Sequence, residues 1–295
     1  SGENRHTITI PIALGSDVKY RYIKPGSPPV FEVNAGGAQV RYRMTHVDGP
    51  QTVLDHVTGW TDLPYSGPTG RISGQIINRE DNTPFPSALV LAAGEQTLTA
   101  SDGTFVLEGV PTGVHNLVAY SLDGSFTTFQ QGAMVAENAT TPALIYVQPS
   151  KTVKVTFVVQ IPASEIKGLP VRMIGSSLAL GNTFADLEGG MSAIASRAPT
   201  LPMIADGIYS ITLDLPSGMD LKYKYTLGDG FWNAEHYSDS AFRVRQLIVP
   251  ESDLTVTDNV ESWVAGTSAA ITFTVTAPAN TPPEDFVSIQ FNPYG

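Results

Sequence analysis

The octapeptide GSDVKYRY at residues 15–22 returns as GMDLKYKY at 218–225. An internal repeat limits the fold strongly, because both copies must build the same supersecondary unit. A shift of 203 aligns Ile8 with Ile211, Gly15 with Gly218, Asp17 with Asp220 and Tyr20 with Tyr223. The same shift aligns Glu32 with Glu235, Asp55 with Asp258, Val57 with Val260 and Trp60 with Trp263. Gaps are needed only in the middle, where VRYRMTHV faces FRVRQLIV. A second shift, of 116, lays VTFVVQIPA (155–163) over ITFTVTAPA (271–279), and Val171 and Met173 over Val287 and Ile289.

Together the two shifts predict an uneven domain map. Residues 150–264 form one complete unit, with a front part at 150–180 and a back part at 205–263. Residues 1–65 carry only a back part, residues 266–295 only a front part, and 68–148 form an unrelated unit. The expected layout is half a domain, two whole domains, and the other half of a domain.

Nearly every segment alternates apolar and polar residues with period two, as a half-buried strand does. TITIPI (7–12), GQIINR (74–79), TVKVTFVV (152–159) and AAITFTVT (269–276) are examples. Asp-Gly pairs at 48–49, 102–103, 123–124, 206–207 and 229–230 supply turn signals. The one helical candidate, ADLEGGMSAIASRA (185–198), contains a double glycine and reads better as a loop. The predicted class is all-β: tandem immunoglobulin-like antiparallel sandwiches, incomplete at both chain ends.

Charge and composition exclude several functions. A net charge of −11, with 15% charged residues, argues against a nucleic-acid partner, which needs a basic stripe. No apolar run approaches the ~18 residues that cross a bilayer, and no basic-then-apolar leader is present. The absence of cysteine removes disulfides, zinc thiolates and thiol nucleophiles. The five histidines show no metal-ligand spacing, and there is no nucleophile elbow or phosphate loop. No enzyme is expected, and no cofactor. The one metal candidate is calcium, on Asp229, Glu235 and Asp239 in GDGFWNAEHYSDS, although the spacing fits no known calcium loop and a solvated acidic hairpin accounts for it better.

The middle segment reads GRISGQIINREDNTPFPSALVLA and then TASDGTFVLEGVPTGVHNLVAYSLDG. It resembles the carboxypeptidase regulatory-like, transthyretin-like domain, which implies a seven-strand sandwich serving as a spacer. Asp102-Gly103 would make a hairpin, with Phe105 and Leu107 facing the core. Some pilin and adhesin relatives carry a Lys–Asn staple in this fold, but no lysine occurs here between Lys24 and Lys151.

The repeated unit resembles the starch-binding sandwich modules of amylases, through RMIGSSLALGNT, DGIYSITLDLPSGMDLKYKYTLGDGFWNAEH and TVTDNVESW. The resemblance implies a sugar platform on Lys224 and Trp232, with Asn233 and Glu235 as hydrogen-bonding neighbours. An exposed indole can stack on a pyranose face. The N-terminal copy departs from this pattern, with Pro29 opposite Trp232 and Arg21 in place of the lysine. Trp60 and Trp263, which recur at the end of the last strand, read as core residues.

An incomplete sandwich exposes apolar faces and unpaired strand edges, so something must complete it. The two ends are complementary: a back part at the start and a front part at the finish. Three arrangements compete: head-to-tail completion by the next subunit, continuation in a longer tandem chain, and a ring closed within one chain. The leading expectation is a non-catalytic extracellular or cell-surface structural subunit whose partners are identical copies. Its interface would use Ile8 and Ile10 against Ile271, Phe273, Val275, Val287, Ile289 and Phe291. The alternative is a glycan-binding accessory region of a secreted polysaccharide-active protein. Neither reading involves nucleic acid or membrane insertion.

Overall fold

The computed structural model describes residues 5–162, 166, 168–181, 198–228, 234–263, 272, 274–276 and 278. The fold is all-β, and a short 3-10 turn is described at Leu178–Leu180. The chain divides into two compact units, residues 1–154 with 214–220 and 247–254, and residues 155–213 with 221–246 and 255–295.

In chain order the N-terminal copy supplies β1 (Asp17–Tyr20), β2 (Ile23–Lys24), β3 (Val30–Val33), β4 (Arg43–His46) and β5 (Gly59–Trp60). The middle segment supplies β6 (Thr69–Asn78), β7 (Leu89–Ala92), β8 (Glu95–Leu98), β9 (Thr104–Pro111), β10 (Gly113–Tyr120), β11 (Phe129–Val135) and β12 (Thr140–Val147). The later copy supplies β13 (Thr152–Gln160), β14 (Val171–Gly175), β15 (Met203–Ala205), β16 (Ile208–Pro216), β17 (Asp220–Leu227), β18 (Arg245–Ile248) and β19 (Leu254–Asn259).

The middle segment folds as two sheets, β11-β10-β7-β8 and β12-β6-β9. Alternation sends Phe105 and Leu107 inward and Val106 outward on β9, and Ala143, Ile145 and Val147 inward on β12. These meet Ile72, Ile76, Val90 and Leu117 in one continuous core. The Asp102-Gly103 turn is not a hairpin between paired strands, as its sequence suggests. It joins β8 to β9, which lie in different sheets. Gly103 takes φ +74°, and the Asp102 carboxylate accepts from the Thr104 amide at 3.0 Å and hydroxyl at 2.6 Å.

The later copy also forms two sheets, β15-β16-β13-β19 and β14-β17-β18. Strand β13 is interior, with β16 on one side and β19 on the other. Its Val153, Val155, Phe157, Val159 and Ile161 side alternates into the core. The Thr156 and Thr212 hydroxyls meet at 2.8 Å, Lys154 pairs with Asp214 at 3.1 Å, and the Ile161 amide donates to the Gly207 carbonyl at 2.8 Å. Numbers fall along one strand as they rise along the other, so β13 and β16 are antiparallel. On the other side the Lys154 amide meets Asp253 and the Gln160 carbonyl receives the Val260 amide, so β13 and β19 are parallel.

Among its described residues the N-terminal copy has the two-stranded sheet β1-β4 and the three-stranded sheet β2-β3-β5. The expectation that TITIPI forms a strand is not met: residues 5–13 belong to none, and neither do 51–58. The reason lies in the repeat. The 203-residue shift places 7–12 on β16 and 51–56 on β19, the two neighbours of β13. Among the described residues of the N-terminal copy nothing corresponds to β13, so neither flanking segment has a strand between them to pair with there.

Gly74 on β6 lies against the backbone of Ala143 on β12, its register partner in the parallel pair, so closely that a Cβ atom would overlap it. Gly74→Ala is expected to push these strands apart and destabilise the middle sandwich by about 1–3 kcal/mol, as overpacking does. A thermal melt with unchanged mobility of that sandwich would contradict this close approach.

Candidate functional site

One buried polar cluster recurs in both copies. In the later copy the Tyr223 and Tyr225 hydroxyls both donate to Asp258 Oδ2, at 2.9 and 2.8 Å. Arg245 donates to Asp258 Oδ1 at 2.7 Å, to both Glu235 oxygens at 2.8–3.1 Å, and to the Asn259 carbonyl at 2.7 Å. Glu235 Oε1 also accepts the Tyr225 amide at 3.0 Å. In the N-terminal copy Tyr20 and Tyr22 donate to Asp55 Oδ2 at 2.7 and 3.0 Å. Arg43 bridges Asp55 at 3.3 Å, Glu32 at 3.1 Å and the His56 carbonyl at 3.0 Å. Glu32 Oε1 accepts the Tyr22 amide at 3.0 Å. Even the tyrosine pairs match, edge to face at 5.9 Å and 79° in one copy and 6.0 Å and 85° in the other.

Strand geometry explains the cluster. Tyrosines two apart on one strand share a face, and a guanidinium fork can satisfy two carboxylates at once. Burial, then the charge of Asp258 or Asp55, pushes the tyrosine pKa values up, to about 12 for Tyr22. Burial opposes the charge on Arg245, but its bonds to Glu235 outweigh that and raise its pKa. The cluster is structural, and all its members lie in the back part of each copy.

This geometry corrects the sugar assignment at Glu235. That carboxylate is wholly buried and held by Arg245, so it cannot meet a ligand from solvent. Lys224 is also buried, with Nζ 3.4 Å from the Phe242 ring centroid and no hydrogen-bond partner among the described residues. Burial pulls its pKa down to about 8 against the opposing pull of Glu235. Trp232 and Asn233 lie outside the described residues. The calcium candidate loses Glu235 for the same reason. Asp239 caps its own turn through the Ala241 amide, and Asp229 is outside the description. No group of three or more metal-ligating side chains occurs among the described residues. Trp60 and Trp263 are half-buried rather than core.

The exposed apolar residues gather elsewhere. Ile8 is 82% exposed, Ile10 57%, Leu14 66% and Leu54 72%. Ile8, Ile10 and Leu54 flank the position where β13 would stand. Strand β1 pairs only with β4, whereas its counterpart β17 pairs with both β14 and β18. Two front-part positions, those of β13 and β14, therefore have no occupant among the described residues of the N-terminal copy. The described C-terminal residues Thr272, Thr274, Val275, Thr276 and Pro278 are exposed and in no strand, with Val275 59% exposed. Ile271, Phe273, Val287, Ile289 and Phe291 lie outside the described residues. The candidate site is this open edge.

No family model matches the chain, and no curated protein matches it. Among solved structures, the glycoside hydrolase family 15 glucoamylase of Hypocrea jecorina is 22% identical over 41% of this chain and 20% of its own, with TM-score 0.30. A streptococcal ancillary pilin is 12% identical over 75% of this chain and 70% of its own, with TM-score 0.34. A minor pilin of Streptococcus agalactiae is 11% identical over 70% of this chain and 100% of its own, with TM-score 0.32. The chain spans about a fifth of the length of the glucoamylases it matches. Scores this low transfer no function, so what the chain does must be argued from its own geometry.

Two outcomes test the electrostatics. Arg245→Ala leaves Glu235 buried without its cation and should cost about 3–5 kcal/mol, against about 1 kcal/mol for Tyr225→Phe, read by denaturant titration. His46 Nδ1 bonds Asp17 at 2.9 Å, and this bond raises the histidine pKa against the opposing effect of burial. Because the folded pKa is the higher one, this contribution is complete below the ordinary histidine value and is lost as pH rises through the raised value. Melting temperature should fall over that window, and Asp17→Asn should flatten the slope.

Proposed function

We propose that the chain is a non-catalytic structural subunit of an extracellular or cell-surface assembly, joined head-to-tail by completion of half domains. The C-terminal front part of one copy would fill the open edge of the N-terminal back part of the next. The observation that carries this reading is the pairing of unmet needs. Ile8, Ile10 and Leu54 are exposed beside a strand position with no occupant among the described residues, and Thr272, Thr274, Val275 and Thr276, from the segment whose sequence matches β13, are exposed and in no strand. Strand addition satisfies both at once, supplying backbone hydrogen bonds and burying alternate apolar side chains. The contact joins different surfaces of each subunit, so repetition without closure gives a filament rather than a dimer.

The middle sandwich then acts as a spacer.

Purified chain at rising concentration should polymerise, seen by light scattering and electron microscopy. Deleting 266–295 should leave monomers, and so should Val275→Asp in the full-length chain, which keeps every folded segment. A chain that stays monomeric with 266–295 intact overturns the proposal.

A further inference from the structure

The open edge is specific enough to name the strand that enters and its register. We infer that residues 271–276 of a second copy insert between 7–12 and 51–57, antiparallel to the first and parallel to the second, with Thr272 opposite Thr9. This rests on the head-to-tail reading of the same edge and deepens it.

The template is β13 in the later copy. There Thr156 faces Thr212, and the Gln160 carbonyl receives the Val260 amide. The 116-residue shift carries Thr156 to Thr272 and Gln160 to Thr276. The 203-residue shift carries Thr212 to Thr9 and Val260 to Val57. One register satisfies both edges: Thr272 opposite Thr9, and the Thr276 carbonyl receiving the Val57 amide. Two independent shifts, read from different parts of the chain, meet without adjustment.

The side chains agree with this placement. Phe273 falls opposite Ile8 and Ile271 opposite Ile10, as Phe157 falls opposite Ile211 and Val155 opposite Leu213. In the later copy Phe157 packs edge-on against Tyr223 with ring centroids 5.1 Å apart. The counterpart of Tyr223 is Tyr20, so Phe273 lands on a tyrosine already held by Asp55. A slip of one residue would turn Phe273 to water and bring Thr272 and Thr274 inward, which the period-two pleat forbids. The β14 register, Met173 with Tyr225 and Gly175 with Tyr223, similarly sets Ile289 opposite Tyr22 and Phe291 opposite Tyr20 on the free edge of β1.

The chain has no cysteine, so two introduced thiols report on one contact. Because the Ile161 amide bonds Gly207, the Thr156–Thr212 pair falls at a position without direct backbone bonds. Such pairs stand about 4.5 Å apart at Cα, within disulfide reach. The chain carrying both Thr9→Cys and Thr272→Cys, assembled and mildly oxidised, should give a ladder of covalent oligomers on a non-reducing gel, lost on adding reductant. The chain carrying Thr9→Cys and Thr274→Cys should give none. A closed covalent monomer would overturn the inference by showing completion within one chain. Polymers that form but ladder only in the Thr274→Cys chain, or in neither, overturn the register and leave the head-to-tail reading standing. Failure of the unsubstituted chain to polymerise overturns that reading itself.

Discussion

A buried arginine gripped by two carboxylates, with two tyrosines closing over one of them, fixes the shape of each copy of the repeat. Buried charges are costly unless every partner is in place, and here the partners are complete. Arg245 satisfies Glu235 and Asp258, and Glu235 also takes the Tyr225 amide. The cluster ties strand β17, strand β18, the segment around Glu235 and the end of β19 into one geometry. Its N-terminal twin does the same with Tyr20, Tyr22, Glu32, Arg43 and Asp55. Every one of these residues belongs to a back part. The N-terminal copy therefore holds its cluster, and the strands around it, without any described counterpart of β13 or β14.

The all-β class was legible from period-two alternation and the density of Asp-Gly turns. The repeat exposed which residues recur, and the recurrence of Tyr, Glu and Asp held the clue to the cluster. At Glu235 the clue points two ways, because a carboxylate near a loop tryptophan also fits a sugar site on chemistry alone. The better signal was that Glu32 recurs in a copy where Pro29 stands in place of the tryptophan. A residue kept where its supposed partner is lost is there for packing. Arg245 and Arg43 were harder to see, since the alignment carries a gap just before them and arginine spacing has no period to betray burial. The TITIPI segment shows the opposite limit. Its alternation correctly marks a face that wants burial, but a strand also needs a neighbour, and no local pattern says whether one is there.

The division of labour between the two halves follows from where the polar cost is met. The buried ion-pair and tyrosine cluster, which demands exact partners, lies wholly in the back part and finds them there. What the front part contributes through β13 is chiefly apolar: Val153, Val155, Phe157, Val159 and Ile161. Under the head-to-tail proposal the matching segment ITFTVT would bring apolar side chains, threonine hydroxyls and backbone groups, and no charge, to the accepting edge. An accepting edge already held rigid loses little conformational freedom when it is filled. The same edge left open would be an aggregation hazard, because any alternating strand could pair with it. On the head-to-tail proposal, the guard against wrong partners would be shape rather than charge: two flanking segments of opposite direction must be matched at once, and an aromatic ring must reach Tyr20.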